Sequence, residues 1–355
     1  MKSGAWHVRA VSLPDGIDPE DSWLTKRGRH AKAVKDAAEL PGRFALPGFV
    51  DSHSHVSFAP GKDGPLALGR KEAEKNLERY GEEGVGIVRD AGGIPAVVLR
   101  LPRVEGRPFV VAAGRHLAPA GRYFEAVHQP VEASDLVSVA LSELKAGARW
   151  VKLVADFQPA GAGPATVFRP EPTYEISVVR DLINATHDAG ARVAAHVTTD
   201  LVGDLVRAGI DSVEHGTALD KETVEEMAKR GTAWTPTLCA VLSAGPDAPE
   251  ERRKRAAERR ERMRELLPLA VTLGVPVLTG SDVVGSIPRE VALLIETGVD
   301  PIDALRAATT AAIRYLGTDA SRSPASIVTF DADPRTHPEV LSKPAAVVIG
   351  GVRVR

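Results

Sequence analysis

The sequence predicts an α/β protein built on a TIM-type (β/α)₈ barrel, because short apolar runs alternate with longer amphipathic stretches from about residue 45 onward. Eight such runs can be counted, and eight βα units in roughly 270 residues fit a barrel whose usual size is about 250 residues. A glycine follows most of the amphipathic stretches, where it can end a helix. A doubly wound open sheet is the alternative fold.

The predicted strands are short runs rich in β-branched residues. In chain order they are FALPGFVDSH, VGIVRD, PFVVAAG, RWVKLVA, RVAAHV, DSVEHG, AWTPTL and VPVLTGSD. The predicted helices between them include DLVSVALSELKAG, ISVVRDLINATHDAG, DLVGDLVRAG and KETVEEMAKRG. A further helix is predicted to begin where Asp300 can act as a cap and Pro301 can occupy the first turn.

The two ends of the chain do not follow the barrel pattern. The segments SIVTFDADP and AAVVIGGVRVR, near the end of the chain, are typical of strands. We therefore expect residues 1–44 and 320–355 to form a small terminal β segment beside a barrel of residues 45–319. The densely charged stretch 249–266 is expected to be a solvated helix with i,i+4 ion pairs.

Composition narrows the class of protein. A formal net charge of -2 and a hydrophobic share of 43% are ordinary for a soluble globular protein and give no reason to expect nucleic acid or an acidic membrane as partner. The single cysteine, Cys239, excludes an internal disulfide and a Cys-x-x-Cys metal knuckle. No segment resembles a signal peptide or a membrane span, so we expect a cytoplasmic protein. We also expect it to act on a small molecule, and it can form a homo-oligomer.

A His-x-His motif ends the first predicted barrel strand, in PGFVDSHSH. Side chains alternate along an extended strand, so His53 and His55 are expected to point the same way. Two imidazoles in this position can hold one cation, although a lone His-x-His also occurs on surfaces and in cores.

Three further ligand-type residues end other predicted strands: His196 ends RVAAHV, His215 ends DSVEHG and Asp282 ends VPVLTGSD. Barrel enzymes carry their active sites at the carboxyl ends of their strands. Each residue alone could be a hydrogen-bonded structural group. Together with the His-x-His motif they predict a site for zinc or a similar divalent ion.

Lys152 lies in the apolar run RWVKLVA. A buried ammonium without a partner is unfavourable, so this lysine should be paired, deprotonated or chemically modified. One interpretation is a lysine that reaches solvent or pairs with Asp156 or Asp90; the other is an N-carboxylated lysine that bridges two metal ions. Asp51 and Glu214, close to ligand histidines in sequence, are expected to face away from the barrel interior and to support packing or the ligands.

These motifs resemble the amidohydrolase superfamily, in particular its imidazolonepropionase-like and Xaa-Pro dipeptidase-like branch. The resemblance covers nearly the whole chain and rests on PGFVDSHSH, WVKL, AAHVT, DSVEHGT, LTGSD, DPIDALRAATTAAIRYLG and the closing segments SIVTFDADP and KPAAVVIGGVRV. It implies two Zn²⁺ ions per chain, bridged by an N-carboxylated lysine. The ligands it implies are His53, His55 and Asp282 for the buried ion, His196 and His215 for the second, and Lys152 for the bridge.

Three segments depart from that branch. The chain has Gly121-Arg122-Tyr123 where many relatives have Gly-Gly-His, and Thr198 where many have a second histidine. The loop after the fourth strand, residues 155–172, does not resemble the usual Ser-Gly-Gly run. The predicted metal ligands are all retained, so these departures concern the substrate.

The predicted reaction is hydrolysis of a C–N bond, in an amide, dipeptide-like or cyclic amide substrate, by metal-activated hydroxide. Asp282 is the expected general acid and base. His116, Tyr123 and His128, in the loop after the third strand, are candidates for substrate binding or oxyanion stabilisation. The alternatives are a mononuclear deaminase or ring-opening hydrolase of the same superfamily, in which Lys152 is only structural, and a non-catalytic ligand-binding barrel.

Overall fold

The computed structural model describes residues 2–62, 64–159, 169–244, 248–317 and 325–355. Its strands are β1 (Lys2–Ser3), β2 (Trp6–Ser12), β3 (Pro19–Thr25), β4 (Gly28–His30), β5 (Ala38–Glu39), β6 (Phe44–Pro47), β7 (Phe49–Ser54), β8 (Phe58–Ala59), β9 (Leu66–Ala67), β10 (Val85–Asp90), β11 (Phe109–Ala112), β12 (His116–Leu117), β13 (Trp150–Val154), β14 (Asp156–Phe157), β15 (Glu171–Pro172), β16 (Arg192–Val197), β17 (Ser212–His215), β18 (Ala233–Thr235), β19 (Ile327–Phe330), β20 (Ala346–Ile349) and β21 (Val352–Arg353).

The helices of the described residues are α1 (Arg70–Glu82), α2 (Pro95–Val98), α3 (Leu136–Lys145), α4 (Ile176–Asp188), α5 (Leu201–Ala208), α6 (Lys221–Arg230), α7 (Leu238–Val241), α8 (Glu250–Thr272), α9 (Ile287–Glu296), α10 (Pro301–Ala307) and α11 (Thr310–Leu316). Short 3₁₀ helices span Glu125–Val127, Ala133–Asp135 and Pro338–Ser342. None of the helices in these ranges combines the length and the apolar character that crossing a bilayer requires.

The centre of the molecule is a curled parallel sheet. Strands β7, β10 and β11 pair in parallel, and so do β12, β13, β16, β17 and β18. The third predicted strand contains β11, and β12 follows it directly in the chain, so the chain passes from one group to the other at this point. Parallel strands that alternate with helices confirm the predicted α/β class.

The eighth predicted strand, VPVLTGSD, is not a regular strand, and this expectation was wrong. It makes only isolated parallel bridges, from Val277 to β18 and from Asp282 to β7. Pro276 has no amide hydrogen and Asp282 has a left-handed φ of 56°, so a continuous ladder cannot form. The segment still hydrogen-bonds to β18 and to β7. This pairing is consistent with a (β/α)₈ barrel, whose closure stays a prediction.

The predicted helices and their ends are confirmed for α3, α4, α5 and α6. Gly209 and Gly231 end α5 and α6 with left-handed φ values of 100° and 71°. Asp300 accepts a hydrogen bond from the amide of Ile302, and Pro301 opens α10. The charged stretch forms the first part of α8, and it carries an i,i+4 ion pair, Arg255–Glu251, and an i,i+3 pair, Arg264–Glu261.

Both ends of the chain contribute to one sheet, which we call the terminal sheet. Its order in the described residues is β1-β21-β20-β19-β6-β2-β3-β4, and β5 pairs with β2. The run FALPGFVDSH, predicted as one strand, is therefore divided: β6 belongs to the terminal sheet and β7 to the parallel sheet. The core of the terminal sheet contains Trp6, Val8, Ala10, Leu24, Leu40, Ala45, Ile327, Ala346 and Val348. The domain bounds at residues 44 and 320 stay predictions.

Two apolar clusters lie on opposite faces of the parallel sheet. The larger one packs between the strands and the helices. The smaller one takes single side chains from most of the parallel strands, so alternation places it on the concave face. Its members include Val50, Ile87, Val111, Trp150, Ala194, Ala233 and Leu278.

Candidate metal centre and substrate cavity

The carboxyl ends of the parallel strands surround a cavity of about 400 Å³. Its wall includes every residue that the sequence predicted as a metal ligand: His53, His55, Lys152, His196, His215 and Asp282. These residues come from β7 and its end, from β13, β16 and β17, and from the eighth run. The fold thus brings together residues that are far apart in the sequence.

Strand β7 delivers the two histidines of the His-x-His motif. Their Nε2 atoms lie 3.3 Å apart, and Nδ1 of His55 donates to the Gly92 carbonyl at 2.6 Å. Asp51 accepts from the amides of His53 at 3.2 Å and of Ser281 at 3.0 Å, which ties β7 to the eighth run. Burial raises the pKa of Asp51 to about 7. Asp51 therefore has the supporting role that was expected of it.

His215 and Asp282 reach the cavity through left-handed backbone conformations, with φ values of 68° and 56°. Residues other than glycine adopt this region rarely, and such strain is concentrated at functional sites. One donor atom from each of His53, His215 and Asp282 lies within 4.8 Å of the others. Oδ1 of Asp282 is also 3.5 Å from Nε2 of His55. The cluster has the donor types and the size of a metal site.

Burial favours the neutral form of the candidate ligand histidines. It lowers the pKa of His53 and His215 well below the usual value, lowers that of His196 to about 4 and lowers that of His55. The cause is loss of water around the imidazolium form, to which the charge of Lys152 adds. Neutral imidazole is the form that binds metal ions, so these rings need not lose a proton on binding.

Lys152 is 2% exposed, and its Nζ has no hydrogen-bond partner in the described part of the chain. It therefore neither reaches solvent nor pairs with Asp90 or Asp156, which were the alternatives. The Asp156 carboxylate instead accepts hydrogen bonds from Thr198 and Thr199. Burial lowers the pKa of Lys152 to about 8. A neutral amine, the form that can react with CO₂, is thus accessible near neutral pH.

Glu214 was expected to face away from the barrel interior, which was wrong, and to support a neighbouring side chain, which its contact with His53 bears out. Its Oε2 accepts from Nδ1 of His53 at 2.5 Å, and its Oε1 accepts from Arg89 at 2.6 Å and from Ser212 at 2.5 Å. Ser212 and Glu214 share the concave face by alternation, while His215 reaches the cavity through its left-handed φ. Sequence reasoning missed Arg89, which is marked only as the cation within the apolar run VGIVRD.

Of the three candidate substrate residues, only Tyr123 lines the cavity. The ring of His116 stacks on that of Tyr123, with centroids 4.6 Å apart, and His128 donates from Nε2 to the Ala118 carbonyl at 2.8 Å. His116 is buried, and neither of its ring nitrogens has a partner among the described residues. Neither histidine lines the cavity, but both rings lie near that of Tyr123.

The rest of the cavity wall is mostly apolar and carries one further cation, Arg252. Its apolar members are Phe58, Pro60, Pro65, Phe124, Val283 and Val284. Arg252 lies near the start of α8, and its guanidinium makes no ion pair with the described residues. Sequence reasoning assigned this arginine only to a solvated helix. Residues 160–168 of the atypical loop 155–172 lie outside the described residues.

Comparisons with known proteins agree with the resemblance seen in the motifs. The chain is 34% identical to an uncharacterized protein of Mycobacterium tuberculosis over 360 residues, which covers 97% of this chain and 94% of that protein. It is 23% identical to the imidazolonepropionase of Pyrobaculum arsenaticum over 344 residues, which covers 84% of this chain and 78% of that enzyme. Among solved structures, an Xaa-Pro dipeptidase with methionine bound in its active site superposes with a TM-score of 0.78 at 19% identity, covering 99% of both chains.

The decisive comparison is with a family as a whole. The sequence model of the Amidohydrolase family matches residues 44–354, nearly the entire chain. That match includes the strand ends that meet at the cavity and the last strands of the terminal sheet. This chain is therefore a member of the amidohydrolase family, and it is a hydrolase.

Proposed function

We propose that the chain is a metal-dependent hydrolase that cleaves a C–N bond in an amide, dipeptide-like or cyclic amide substrate, on a closed (β/α)₈ barrel. One observation carries this proposal. Six ligand-type side chains meet in one cavity, and two of them, Lys152 at Nζ and His196 at Nε2, are buried there without a hydrogen-bond partner in the described residues. Buried polar atoms without partners are rare in proteins, and a bound ion is a common reason for them.

The donor set fits zinc. In the arrangement we propose, His53, His55 and Asp282 would hold one ion, His196 and His215 would hold a second, and Lys152 would contribute to both as an N-carboxylated lysine. The histidines are held neutral by burial, and the pKa of Lys152 near 8 makes its carboxylation accessible. When bound, such ions supply Lewis acidity, which polarises a carbonyl group and allows hydroxide to form from water near neutral pH.

Asp282 is the residue we propose as general acid and base. Its side chain lines the cavity and is partly exposed, while the amide of Val283 donates to its Oδ1 at 2.8 Å. The carboxylate thus lies at the surface of the cavity, where water and a substrate can reach it. In this position it can accept a proton from the attacking water and later donate it to the leaving nitrogen.

Tyr123 is the residue we propose to orient the substrate. Burial raises the pKa of its hydroxyl far above the usual value, so the group stays a hydrogen-bond donor across the physiological range. Its ring lies against His116 and Phe157, which restricts its rotation. A hydroxyl held in this way can donate to the carbonyl oxygen of the scissile bond.

The cavity wall favours a substrate that has an apolar part and a carboxylate. Phe58, Phe124 and Val284 supply apolar surface, and the guanidinium of Arg252 is available to bind an anion. The structurally similar Xaa-Pro dipeptidase holds methionine, an amino acid with both features, in its active site. We therefore propose N-acyl amino acids and dipeptides as the first substrates to test.

Arg252→Met should raise KM about tenfold for them and leave KM unchanged for the corresponding C-terminal amides.

A mononuclear site is the second candidate, because one specific observation favours it. His53, His215 and Asp282 form a group of three in which one donor atom from each lies within 4.8 Å of the other two. Three protein ligands and an open position are typical of a single catalytic zinc ion. In that case the chain would be a deaminase or ring-opening hydrolase, and Lys152 would have a structural role.

The experiment that tests the proposal is metal content per chain, measured by elemental analysis on protein purified without chelators and with bicarbonate present. Two divalent ions per chain are expected for the binuclear site, and one ion would favour the mononuclear alternative. His53→Ala and Asp282→Asn should lose metal and hydrolysis, whereas His187→Ala, an exposed histidine paired with Asp211, should keep both. A wild-type protein without metal, or His53→Ala and Asp282→Asn proteins with wild-type metal content and hydrolysis, would overturn the proposal and favour a non-catalytic barrel.

A further inference from the structure

A buried ion pair lies under the candidate metal centre, outside the cavity. Arg89 on β10 and Glu214 on β17 are both 0% exposed, and their closest atoms are 2.6 Å apart. The guanidinium of Arg89 also donates to the Ser52 carbonyl and lies over the ring of Trp150, 4.6 Å from its centroid. Neither charged residue lines the cavity, so neither is placed to touch a substrate.

Stability alone does not account for this pair. The side chains around it on the concave face are largely apolar, including Val50, Ile87 and Ala194. Replacing a buried ion pair by apolar side chains of similar size is often neutral or stabilising, because the charges must be stripped of water. One guanidinium nitrogen of Arg89 even lacks a hydrogen-bond partner among the described residues. Packing of the core alone therefore does not explain why a buried ion pair is present here.

The geometry gives the pair a clear target. Oε1 of Glu214 is occupied by Arg89 and Ser212, which leaves Oε2 to accept the Nδ1 proton of His53 at 2.5 Å. A proton held on Nδ1 places the lone pair of His53 on Nε2, the atom that lies 3.3 Å from Nε2 of His55. The contact with Glu214 thus fixes both the tautomer and the ring orientation of His53.

His55 and His215 have weaker supports at Nδ1. Nδ1 of His55 meets the neutral carbonyl of Gly92, and Nδ1 of His215 meets the hydroxyl of Thr237. In the described residues, His53 is the ligand-type histidine with a carboxylate at its Nδ1. A carboxylate partner makes imidazole a stronger electron-pair donor than a carbonyl or hydroxyl partner does.

We propose that Arg89 and Glu214 are positioning residues that fix His53 and so set the affinity of the centre for its metal ion. This inference rests on the proposed metal site. Removal of such a partner typically weakens metal binding about 10- to 100-fold. A role in folding alone would instead change the stability of the metal-free protein and leave the affinity of the folded protein unchanged.

The experiment is a Zn²⁺ titration of metal-free protein against a chromophoric competitor, with the melting temperature of each metal-free variant measured in parallel. Arg89→Met combined with Glu214→Leu replaces the pair by apolar side chains. We expect this variant to melt at or above the wild-type temperature and to bind Zn²⁺ about 10- to 100-fold more weakly. Glu214→Gln keeps the volume and gives a second measurement, with an expected loss of about tenfold.

The matched control is Glu143→Gln, because Glu143 pairs with Arg115 at the same distance of 2.6 Å but contacts no ligand histidine. Its Zn²⁺ affinity should equal that of the wild type. Wild-type affinity in both Glu214 variants, beside a large loss in His53→Ala, would overturn this inference and leave the metal site intact. Wild-type affinity in His53→Ala would overturn the metal site and this inference together.

Discussion

The cavity and the terminal sheet are both built from β-strands, but they treat buried polar atoms in opposite ways. In the terminal sheet every buried side-chain nitrogen or oxygen of the described residues has a partner; Nε1 of Trp6, for example, donates to the Gly351 carbonyl at 2.9 Å. In the cavity, Lys152 and His196 are buried without one. Unpartnered polar atoms cost stability, so the comparison indicates that the terminal sheet is optimised for folding and the cavity for binding.

The largest effect expected from this contrast is on catalysis. Asp282→Asn should lower kcat/KM by about 10³-fold or more, because an amide cannot accept the proton of the attacking water and the variant also loses a metal ligand. The measurement is a steady-state assay on the best substrate found, with circular dichroism to verify the fold. Asp21→Asn in the terminal sheet is the control and should leave kcat/KM unchanged. Equal losses in both variants would contradict the division between the two regions.

The terminal sheet should show the reverse behaviour. Trp6→Ala removes a buried side chain of its core and should lower the free energy of unfolding by about 3–5 kcal/mol, since it leaves a cavity. Chemical denaturation measures this loss, and Trp6→Phe separates the smaller contribution of the hydrogen bond to Gly351. Zn²⁺ affinity of the folded Trp6→Ala protein should match the wild type, and a large drop would show that the sheet shapes the metal centre.

The sequence predicted the cavity better than its surroundings. The candidate metal ligands could be found because the histidines and Asp282 lie at the ends of apolar runs and Lys152 lies within one, and parallel strands bring their carboxyl ends together. The strand alternation rule failed at Glu214, because it assumes an extended backbone and His215 is left-handed. The contact between Arg89 and Glu214 joins residues 125 positions apart and depends on how the curled sheet brings β10 and β17 face to face, which no local pattern contains.

For a related reason, the sequence predicted the eighth run as a regular strand although it is irregular. Its apolar residues have the composition of a strand, but Pro276 interrupts the ladder and Asp282 turns out of it. The sequence also did not predict that FALPGFVDSH is divided between two sheets, because β6 and β7 are separated only by Gly48. Composition identifies β structure, whereas the sheet that a strand joins depends on partners far away in the chain.

A smaller effect is expected from replacing the lysine that is buried in the cavity without a hydrogen-bond partner. Lys152→Met should raise the free energy of unfolding of the metal-free protein by about 1–3 kcal/mol at pH 7, because it removes a buried amine without a partner. Denaturation in the presence of a chelator tests this. The same variant should bind less metal, because the lysine that lowers the stability of the fold also supports metal binding. Lys26→Met, at an exposed lysine paired with Glu105, should change stability little. A destabilised Lys152→Met protein would mean that the amine is already satisfied.

The smallest expected effect concerns a charge in the terminal sheet. His7 contacts Glu39 at 2.6 Å and Asp21 at 2.9 Å, and the hydrogen bond to Glu39 is the main reason that its pKa is raised. A pKa above the unfolded value stabilises the fold below about pH 6.5, and this contribution is lost as the pH rises through the folded-state pKa. His7→Gln should therefore melt lower than the wild type at pH 5.5 and equally at pH 9. Because both carboxylates are solvent-exposed, the difference should be no more than about 2 °C. A difference of the same size at both pH values would assign the effect to the stacking of His7 on Trp23 instead of its charge.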